Sequence, residues 1–206
     1  MKNVNYLVIA SRNKGKTAEI QELLSGFPIT IKSLDDFGPI PEVEEDGETF
    51  DENANKKASF TARVLGHPAL ADDSGLVVDA LDGAPGVLSA RFACPEATNE
   101  ERFQKLLQEM EGVSNRKAAF ECVISLAVPT GPALTYEGRC EGLITETPVG
   151  INGFGYDPVF FYPPLKKTFA ELTREEKGRV SHRGKALEEF KNEFNSVIKW
   201  IDIHMP

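Results

Sequence analysis

The chain has 206 residues, with 23 lysines and arginines against 32 aspartates and glutamates and a formal net charge of −9. The length is that of one sizeable domain, and the acidic balance argues against a protein that binds nucleic-acid backbones over a broad face. No apolar run approaches the roughly 20 residues of a membrane span, and the three cysteines form no zinc or disulfide pattern, so we expect a cytoplasmic protein without a membrane partner.

Strands and helices are both predicted in the first half of the chain. An apolar run from Asn5 to Ala10 predicts a buried strand, and a polar loop leads from it into a helix around Ile20. A second, amphipathic helix is predicted from Phe50 to about Leu65. Small and β-branched residues then flank Asp72-Asp73-Ser74-Gly75, a pattern that favours strand, turn and strand.

The second half also mixes the two element types. Its predicted strands are Ala118–Val128, Ala133–Ile144 and Pro158–Tyr162. One helix is predicted after the capping box of Thr98 and Glu101, and a last one from about Ser181. Because no repeat or linker interrupts this mixture, the sequence predicts a single α/β domain over residues 1–206 with a mixed sheet.

The first polar loop differs by one residue from a phosphate-binding P-loop, G-x-x-x-x-G-K-[ST]. Ala10 stands in place of the first glycine, and the second motif of such enzymes is missing. A P-loop phosphotransferase or phosphatase that cleaves the γ-phosphate is therefore an alternative that the sequence disfavours. The helix N-terminus with Asn13 and Lys16 still suits an anion, although a helix cap and a solvated lysine explain the same residues.

Carboxylates gather at two places in the sequence. Five lie between Glu42 and Glu48, and Asp72 and Asp73 are consecutive. Grouped carboxylates favour a cation, and Mg²⁺ in phosphate enzymes takes one or two of them together with substrate phosphate. A solvated acidic loop and an ordinary turn are the alternatives.

Two later segments carry side chains that suit a flat ligand. Phe154 stands between two glycines, where its ring could stack on a base or fold into the core. His182 and Arg183 open the last predicted helix, a position where the helix dipole disfavours cations. Their placement is explained either by a ligand or by simple exposure.

Six motifs in order give the sequence a resemblance to a known family. They are Ser11-Arg12-Asn13-Lys14-Gly15-Lys16, Glu52-Asn53-Ala54 with Lys57-Ala58, Ala71-Asp72-Asp73-Ser74-Gly75-Leu76, Gly83-Ala84-Pro85-Gly86 with Ser89-Ala90-Arg91, Phe154-Gly155-Tyr156-Asp157-Pro158 and Ser181-His182-Arg183. This series resembles the inosine triphosphate pyrophosphatase family. Arg12 is a departure, because many members carry glycine there.

The resemblance implies a two-lobed α/β fold with a long central mixed sheet, flanking helices and an active-site cleft between the lobes. It implies a homodimer with at least one Mg²⁺ per subunit. It also implies hydrolysis of the deaminated purine nucleotides ITP, dITP and XTP to the monophosphate and pyrophosphate. A non-catalytic nucleotide sensor with the same residues is the second alternative.

The resemblance also implies roles for individual residues. Asp73 is expected to be the catalytic base, and Glu44 and Asp73 to hold the metal, with the neighbouring Glu45 as an alternative to Glu44. The residues expected to bind substrate are Ser11, Arg12, Asn13, Lys14, Gly15, Lys16, Lys57, Ser74, Phe154, Gly155, Tyr156, Asp157, Lys177, His182 and Arg183. A donor such as Lys177 or Arg183, aimed at the 6-oxygen of hypoxanthine or xanthine, would be left unpaired by adenine, which selects against ATP.

Overall fold

A computed structural model describes residues 6–205 of the chain. Its strands are β1 (Tyr6–Ile9), β2 (Thr30–Ser33), β3 (Ala69–Val78), β4 (Lys117–Ala127), β5 (Ala133–Ile144), β6 (Phe160–Tyr162) and β7 (Lys167–Thr168). Its helices are α1 (Lys14–Leu23), α2 (Phe50–Leu65), α3 (Asn99–Glu109), α4 (Arg174–Val180), α5 (His182–Asn192) and α6 (Phe194–His204). Short 3₁₀ turns lie between several of these elements.

The seven strands form one sheet in the order β2-β1-β3-β4-β5-β6-β7. The strand β1 runs parallel to β2 and β3, whereas β6 runs antiparallel to β5 and β7. The predicted α/β fold with a mixed sheet is therefore confirmed. Among residues 6–205, no helix combines the length and the apolar character that crossing a membrane requires.

The chain divides into two compact units, and it changes from one to the other within three strands and within α5. Unit 1 comprises Met1–Asp73, Cys122–Glu137 and Lys185–Pro206, and unit 2 comprises Ser74–Glu121 and Gly138–Gly184. The strands β3, β4 and β5 each contribute residues to both units. The predicted single domain and its cleft stay predictions.

In unit 1, side chains that alternate along the strands pack on opposite faces of the sheet. Leu7, Ile9 and Leu70 belong to a core cluster with residues of α1, α5 and α6. Val8, Ala10, Ala69 and Ala71 point the other way and pack with Ala58 and Ala62 of α2. Because the side chains of the sheet and of α2 are small where they meet, the helix can lie close to the strands. The same alternation sends the side chains of Asp72 and Asp73 to opposite faces.

The core of unit 2 is rich in aromatic rings. The ring centroids of Phe120, Phe160 and Phe169 lie 4.7 to 5.8 Å apart, within the range of favourable aromatic pairs. The helix α3 adds Phe103 and Leu106 to the same cluster. Tyr156, in the glycine-rich loop of residues 150–157, belongs to the same cluster.

The predicted turn at Asp72–Gly75 is wrong, because β3 continues without interruption from Ala69 to Val78. Asp72 and Asp73 are both buried within the strand. Turn-forming residues remain extended here because each carboxylate meets a lysine ammonium, Asp72 that of Lys16 and Asp73 that of Lys57. These ion pairs compensate for the burial of charge.

The last part of the chain also differs from the prediction. Two helices, α5 and α6, replace the single helix predicted from Ser181, and the strand predicted from Pro158 begins at Phe160 after a 3₁₀ turn. The elements β2 and α4 were not predicted, since both are short and lack a periodic apolar pattern. Asn5, the predicted start of the first strand, lies outside the described residues.

Candidate active site

The first loop, residues 10–13, connects β1 to the N-terminus of α1. Asn13 is the N-cap of α1, and its Oδ1 accepts a hydrogen bond from the backbone N–H of Lys16 at 3.1 Å. The hydroxyl of Ser11 accepts one from the backbone N–H of Asn13 at 3.2 Å. The loop therefore presents a helix N-terminus together with the exposed side chains of Asn13 and Lys14, an arrangement that favours a bound anion.

Arg12 ties the first loop to the acidic segment, residues 42–48. Its Nη2 donates to the carbonyl oxygen of Ile40 at 2.5 Å, and its Nε lies 3.4 Å from the carboxylate of Glu42. The guanidinium thus contacts both the backbone just before the acidic segment and the first carboxylate of that segment. Arg12, which stands where many members of the family carry glycine, therefore links the first loop to the acidic segment.

The aspartates of β3 carry separate lysines because they face opposite sides of the sheet. Asp72 forms an ion pair with Lys16, which α1 supplies. Asp73 accepts a hydrogen bond from Nζ of Lys57, in the middle of α2, at 2.7 Å. The same ammonium donates to the carboxylate of Glu45 at 3.0 Å. Lys57 therefore bridges a buried carboxylate and a half-buried one.

The charges of this group shift one another's proton affinity. Burial raises the pKa of Asp73 above its ordinary value, although the ammonium groups of Lys57 and Lys16 act in the opposite direction. Burial alone would lower the pKa of Lys57, but the charges of Asp73 and Glu45 outweigh it and raise that pKa. Lys57 consequently stays charged, while Asp73 has a higher affinity for a proton than an exposed aspartate.

The acidic segment is held by cations at several of its members. Glu42 contacts Arg12, Glu45 contacts Lys57, and Asp46 contacts Lys56. Glu44 is exposed, and the structure brings Glu45 rather than Glu44 to the ammonium that also holds Asp73. The resemblance favours Glu44 as the metal ligand with Glu45 as the alternative, whereas the contact with Lys57 favours Glu45.

Oxygen donors suited to a divalent cation lie at Glu45 and Asp73. Within residues 6–205, no three histidine, cysteine, aspartate or glutamate side chains form a metal-binding group. A cation there would draw on two carboxylates and on substrate phosphates, which is how Mg²⁺ is usually held in phosphate enzymes. The donor set therefore fits Mg²⁺ and offers no thiolate or imidazole for a softer metal.

In unit 2, a buried ion pair lies beside Phe154. Nζ of Lys177 is 2.6 Å from Oδ2 of Asp157, and the two side chains are only 5% and 2% exposed. The same ammonium lies 4.6 Å from the centroid of the Phe154 ring, close enough for a cation–π contact. The backbone N–H of Phe154 donates to Oδ2 of Asp157 at 2.9 Å. Phe154 is therefore fixed at both its ring and its backbone.

Gly153 makes this arrangement possible. Its φ is +75°, and a Cβ at this position would lie 2.0 Å from the carboxylate of Asp157. Only glycine tolerates both the left-handed backbone and the approach. The loop thus wraps Asp157 closely enough for the backbone of Phe154 to reach it.

Arg183 and His182 are buried, so simple exposure does not explain their position at the start of α5. Arg183 is 1% exposed; its Nη2 donates to the hydroxyl of Ser74 at 3.4 Å, and its Cζ lies 5.9 Å from the centroid of Phe154. The ring of His182 stacks on Phe120 at 4.7 Å between centroids. Phe154, Lys177 and Arg183 therefore form one group, whereas His182 packs against the aromatic core.

Tyr156 has a structural position in unit 2. It is buried, and its hydroxyl donates to the carbonyl oxygen of Ser89 at 2.9 Å. The hydroxyl of Ser89 in turn accepts from the backbone N–H of Leu76 in β3 at 2.9 Å. Gly155 precedes Tyr156 with a φ of +64°, which supports the turn. Tyr156 anchors the glycine-rich loop to β3.

The structure thus gathers the predicted residues in two groups. Unit 1 brings together the first loop with Lys16, Lys57, Asp73 and Glu45, and unit 2 brings together Ser74, Phe154, Asp157, Lys177 and Arg183. Sequence reasoning missed Cys122, whose Sγ donates to Oδ2 of Asp72 at 3.0 Å. A cysteine within an apolar strand carries no signal of its own. The strand's alternation, which puts Cys122 on one face with Ile124, is the clue that could have placed it.

Comparison with known proteins places the chain among nucleotide pyrophosphatases. A model of the Ham1 family matches residues 7–193. A dITP/XTP pyrophosphatase of Syntrophobacter fumaroxidans is 62% identical over 195 residues, which cover 95% of this chain and 84% of that protein. One of Desulfotalea psychrophila is 58% identical over 97% of this chain and 89% of that protein. A solved HAM1 protein from Coxiella burnetii superimposes with a TM-score of 0.85 at 46% identity, covering 93% of this chain and 98% of that one. The resemblance inferred from the six motifs is confirmed.

Proposed function

Because the chain belongs to the Ham1 family, we propose that it is a nucleoside triphosphate pyrophosphatase of deaminated purine nucleotides. Its substrates are ITP, dITP and XTP, and its products are the nucleoside monophosphate and pyrophosphate. The observation that carries this proposal is Lys57, which joins the buried carboxylate of Asp73 to that of Glu45. Cationic and anionic groups of this kind serve both phosphate binding and proton transfer.

The residues of unit 1 bind the triphosphate. The N-terminus of α1, with Ser11 and Asn13 in the first loop, offers hydrogen-bond donors to phosphate oxygens. The ammonium groups of Lys16 and Lys57 are each held by an aspartate of β3, so they are oriented before substrate arrives. This arrangement reduces the entropy lost on binding.

Glu45 and Asp73 would hold Mg²⁺, at least one ion in each subunit. The ion supplies charge neutralisation to the phosphates when it is bound. Glu45 replaces Glu44, the ligand expected from the resemblance, because the carboxylate of Glu45 shares Lys57 with Asp73.

Asp73 acts as the general base in hydrolysis. Its carboxylate accepts a proton from the attacking water, whose oxygen forms a bond to the α-phosphorus. The bond between this phosphorus and the bridging oxygen breaks, and pyrophosphate leaves. The raised pKa of Asp73, caused by burial, makes the carboxylate a better proton acceptor than an exposed one.

The residues of unit 2 recognise the base. Phe154 stacks on the purine ring, while Lys177 and Arg183 supply donors beside that ring. Such donors match the 6-oxygen of hypoxanthine and xanthine, and the amine of adenine would leave them unpaired. Asp157 keeps the ammonium of Lys177 in place at 2.6 Å.

We also propose that the enzyme is cytoplasmic and forms a homodimer.

Product analysis tests the function directly. The protein is incubated with Mg²⁺ and ITP, and in parallel with ATP and GTP, and the products are separated by ion exchange. We expect IMP and pyrophosphate from ITP, little product from ATP or GTP, and loss of turnover when EDTA removes the metal. Asp73→Asn should abolish turnover while Lys56→Ala, at the exposed ion pair one residue away from Lys57, should leave it within about twofold.

The alternatives predict different products. IDP and orthophosphate would indicate cleavage of the γ-phosphate and a phosphatase. Binding of ITP without any product would indicate a nucleotide sensor. Full activity of Asp73→Asn would remove this residue from the role of base.

A further inference from the structure

A buried cysteine contacts the carboxylate that holds Lys16. Sγ of Cys122, in β4, donates to Oδ2 of Asp72 at 3.0 Å, although the two residues are 50 positions apart in the chain. Oδ1 of the same carboxylate forms the ion pair with Lys16. Asp72 and Cys122 are each 1% exposed. The three side chains therefore form a chain of contacts from the interior of the sheet to the N-terminus of α1.

The two oxygens of Asp72 are thus held from different directions. The carboxylate of an aspartate can rotate about χ2, because the distribution of this torsion angle is broad. A donor on Oδ2 restricts this rotation and keeps Oδ1 directed at Lys16. The ammonium of a lysine stands at the end of a flexible four-carbon side chain, so its position varies unless a partner holds it. The orientation of the Asp72 carboxylate therefore helps to fix the position of the Lys16 ammonium.

We propose that Cys122 is a positioning residue that acts through Asp72 to orient the ammonium of Lys16 for the triphosphate. The inference rests on the proposed function in so far as it assigns Lys16 to phosphate binding. Cys122 touches neither phosphate nor water in the reaction. Its contribution is to the affinity for the phosphate chain and not to the transfer of a proton.

The second buried cysteine provides a matched comparison. Cys140 is fully buried in β5 and packs in the core of unit 2. Its Sγ lies 4.0 Å from the carbonyl oxygen of Glu141, at the outer limit for a sulfur hydrogen bond. Buried cysteines commonly serve as small apolar side chains, and Cys140 fits that description. Replacement of either cysteine removes the same atom, but only Cys122 is connected to Lys16.

The test uses inorganic tripolyphosphate with Mg²⁺ as the probe, titrated into the full chain by calorimetry. Cys122→Ala should weaken binding about threefold to tenfold, the range that loss of one hydrogen bond produces. Cys122→Ser retains a donor and should bind within about twofold of the wild type. Cys140→Ala should also bind within about twofold. Cys122→Val also lacks a donor, fills the space of the sulfur and replaces the alanine variant should that one fail to fold.

A double-mutant cycle separates positioning from a structural role. In a Lys16→Met background, Cys122→Ala should have no further effect on the affinity for tripolyphosphate, because the group that it orients is gone. The same loss in both backgrounds would overturn the proposal, as would equal losses in Cys122→Ala and Cys140→Ala. If the wild type binds tripolyphosphate but forms no IMP from ITP, the proposed function fails while the positioning role stands. Wild-type protein that forms IMP from ITP but binds no tripolyphosphate would overturn the positioning role and leave the proposed function standing.

Discussion

Consecutive carboxylates of one strand serve different lysines in this protein. Asp72 faces α1 and holds Lys16, whereas Asp73 faces α2 and holds Lys57. Because neighbouring side chains in a strand point to opposite faces, the two aspartates cannot exchange partners. Each lysine is oriented by a buried carboxylate before any ligand binds. Asp72 and Asp73 therefore bind one lysine each and do not form a single acidic patch.

The choice between the adjacent carboxylates of Glu44 and Glu45 is open to experiment. Glu45→Gln removes a charge from the carboxylate that shares Lys57 with Asp73. We expect the Mg²⁺ concentration for half-maximal activity to rise at least about tenfold, as is typical when support for a bound metal is lost. The measurement is a titration of activity with Mg²⁺ at saturating ITP.

Glu44→Gln is the matched control, since it removes the same charge from an exposed neighbour. Its Mg²⁺ requirement should stay within about twofold of the wild type. A large rise in Glu44→Gln with none in Glu45→Gln would return the metal to Glu44.

The sequence singled out most residues of the candidate site, and their roles there stay predictions. Asp73, Lys57 and Lys16 stand at fixed places in recognisable motifs, and the structure brings each of them into an ion pair. Glu44 and Glu45 could not be separated, because they lie outside helix and strand and no period fixes where their side chains point. Alternation along β4 could have given the face of Cys122 but not its contact with Asp72, which lies 50 residues away.

At the scale of elements, α4 and α5 meet at a contact that depends on glycine. A Cβ on Gly184 would lie 1.8 Å from the carbonyl oxygen of Gly178. Gly184 also donates its backbone N–H to the hydroxyl of Ser181 at 3.0 Å. The first turn of α5 is thereby held against α4, and this turn carries His182 and Arg183.

Gly184→Ala should therefore destabilise the protein despite the better helix propensity of alanine. The added methyl group meets backbone, which cannot move aside as a side chain can. We expect a loss of about 1–3 kcal/mol in the free energy of unfolding, as for other overpacked positions. Urea denaturation followed by circular dichroism measures it.

Glu189→Ala places the same residue at an exposed position of α5. It should change the free energy of unfolding by no more than about 0.5 kcal/mol. An unchanged midpoint for Gly184→Ala would mean that the two helices are free to separate by the width of a methyl group.

A long apolar period predicts α2 well but does not reveal that the last predicted helix divides into α5 and α6, and short elements were not predicted. The helix α2 was expected from Phe50 to Leu65 and has those bounds. The helix α4 has seven residues and almost no apolar ones, although the capping box of Thr173 and Glu176 marks its start. The turn expected at Asp72–Gly75 failed because ion pairs from distant helices override local turn preference.

At the scale of the whole molecule, the mixed sheet was predictable and the pairing of distant segments was not. The two types of element follow one another irregularly, which is typical of a mixed sheet. The hydrogen bond from Arg183 to Ser74 joins residues 109 positions apart, and that from Tyr156 to Ser89 joins residues 67 apart. Neither pairing leaves a local pattern in the sequence.

The proposed homodimer is a prediction about the whole molecule. The subunit mass is 22.7 kDa. Sedimentation equilibrium at micromolar concentration should give about twice this mass, since stable dimers persist well below that concentration. A single species with the mass of one subunit would contradict the prediction and leave the catalytic proposal intact, because each of its residues is assigned within one chain.

The alternation along β3 also constrains how this gene could vary. Inserting one residue ahead of Asp72 would turn every later side chain of the strand to the other face, so that each carboxylate would meet the wrong helix. Inserting two would restore the original sidedness. We therefore expect β3 to tolerate insertions or deletions of two residues ahead of Asp72 better than those of one, because only an even change keeps each carboxylate on its own face of the sheet.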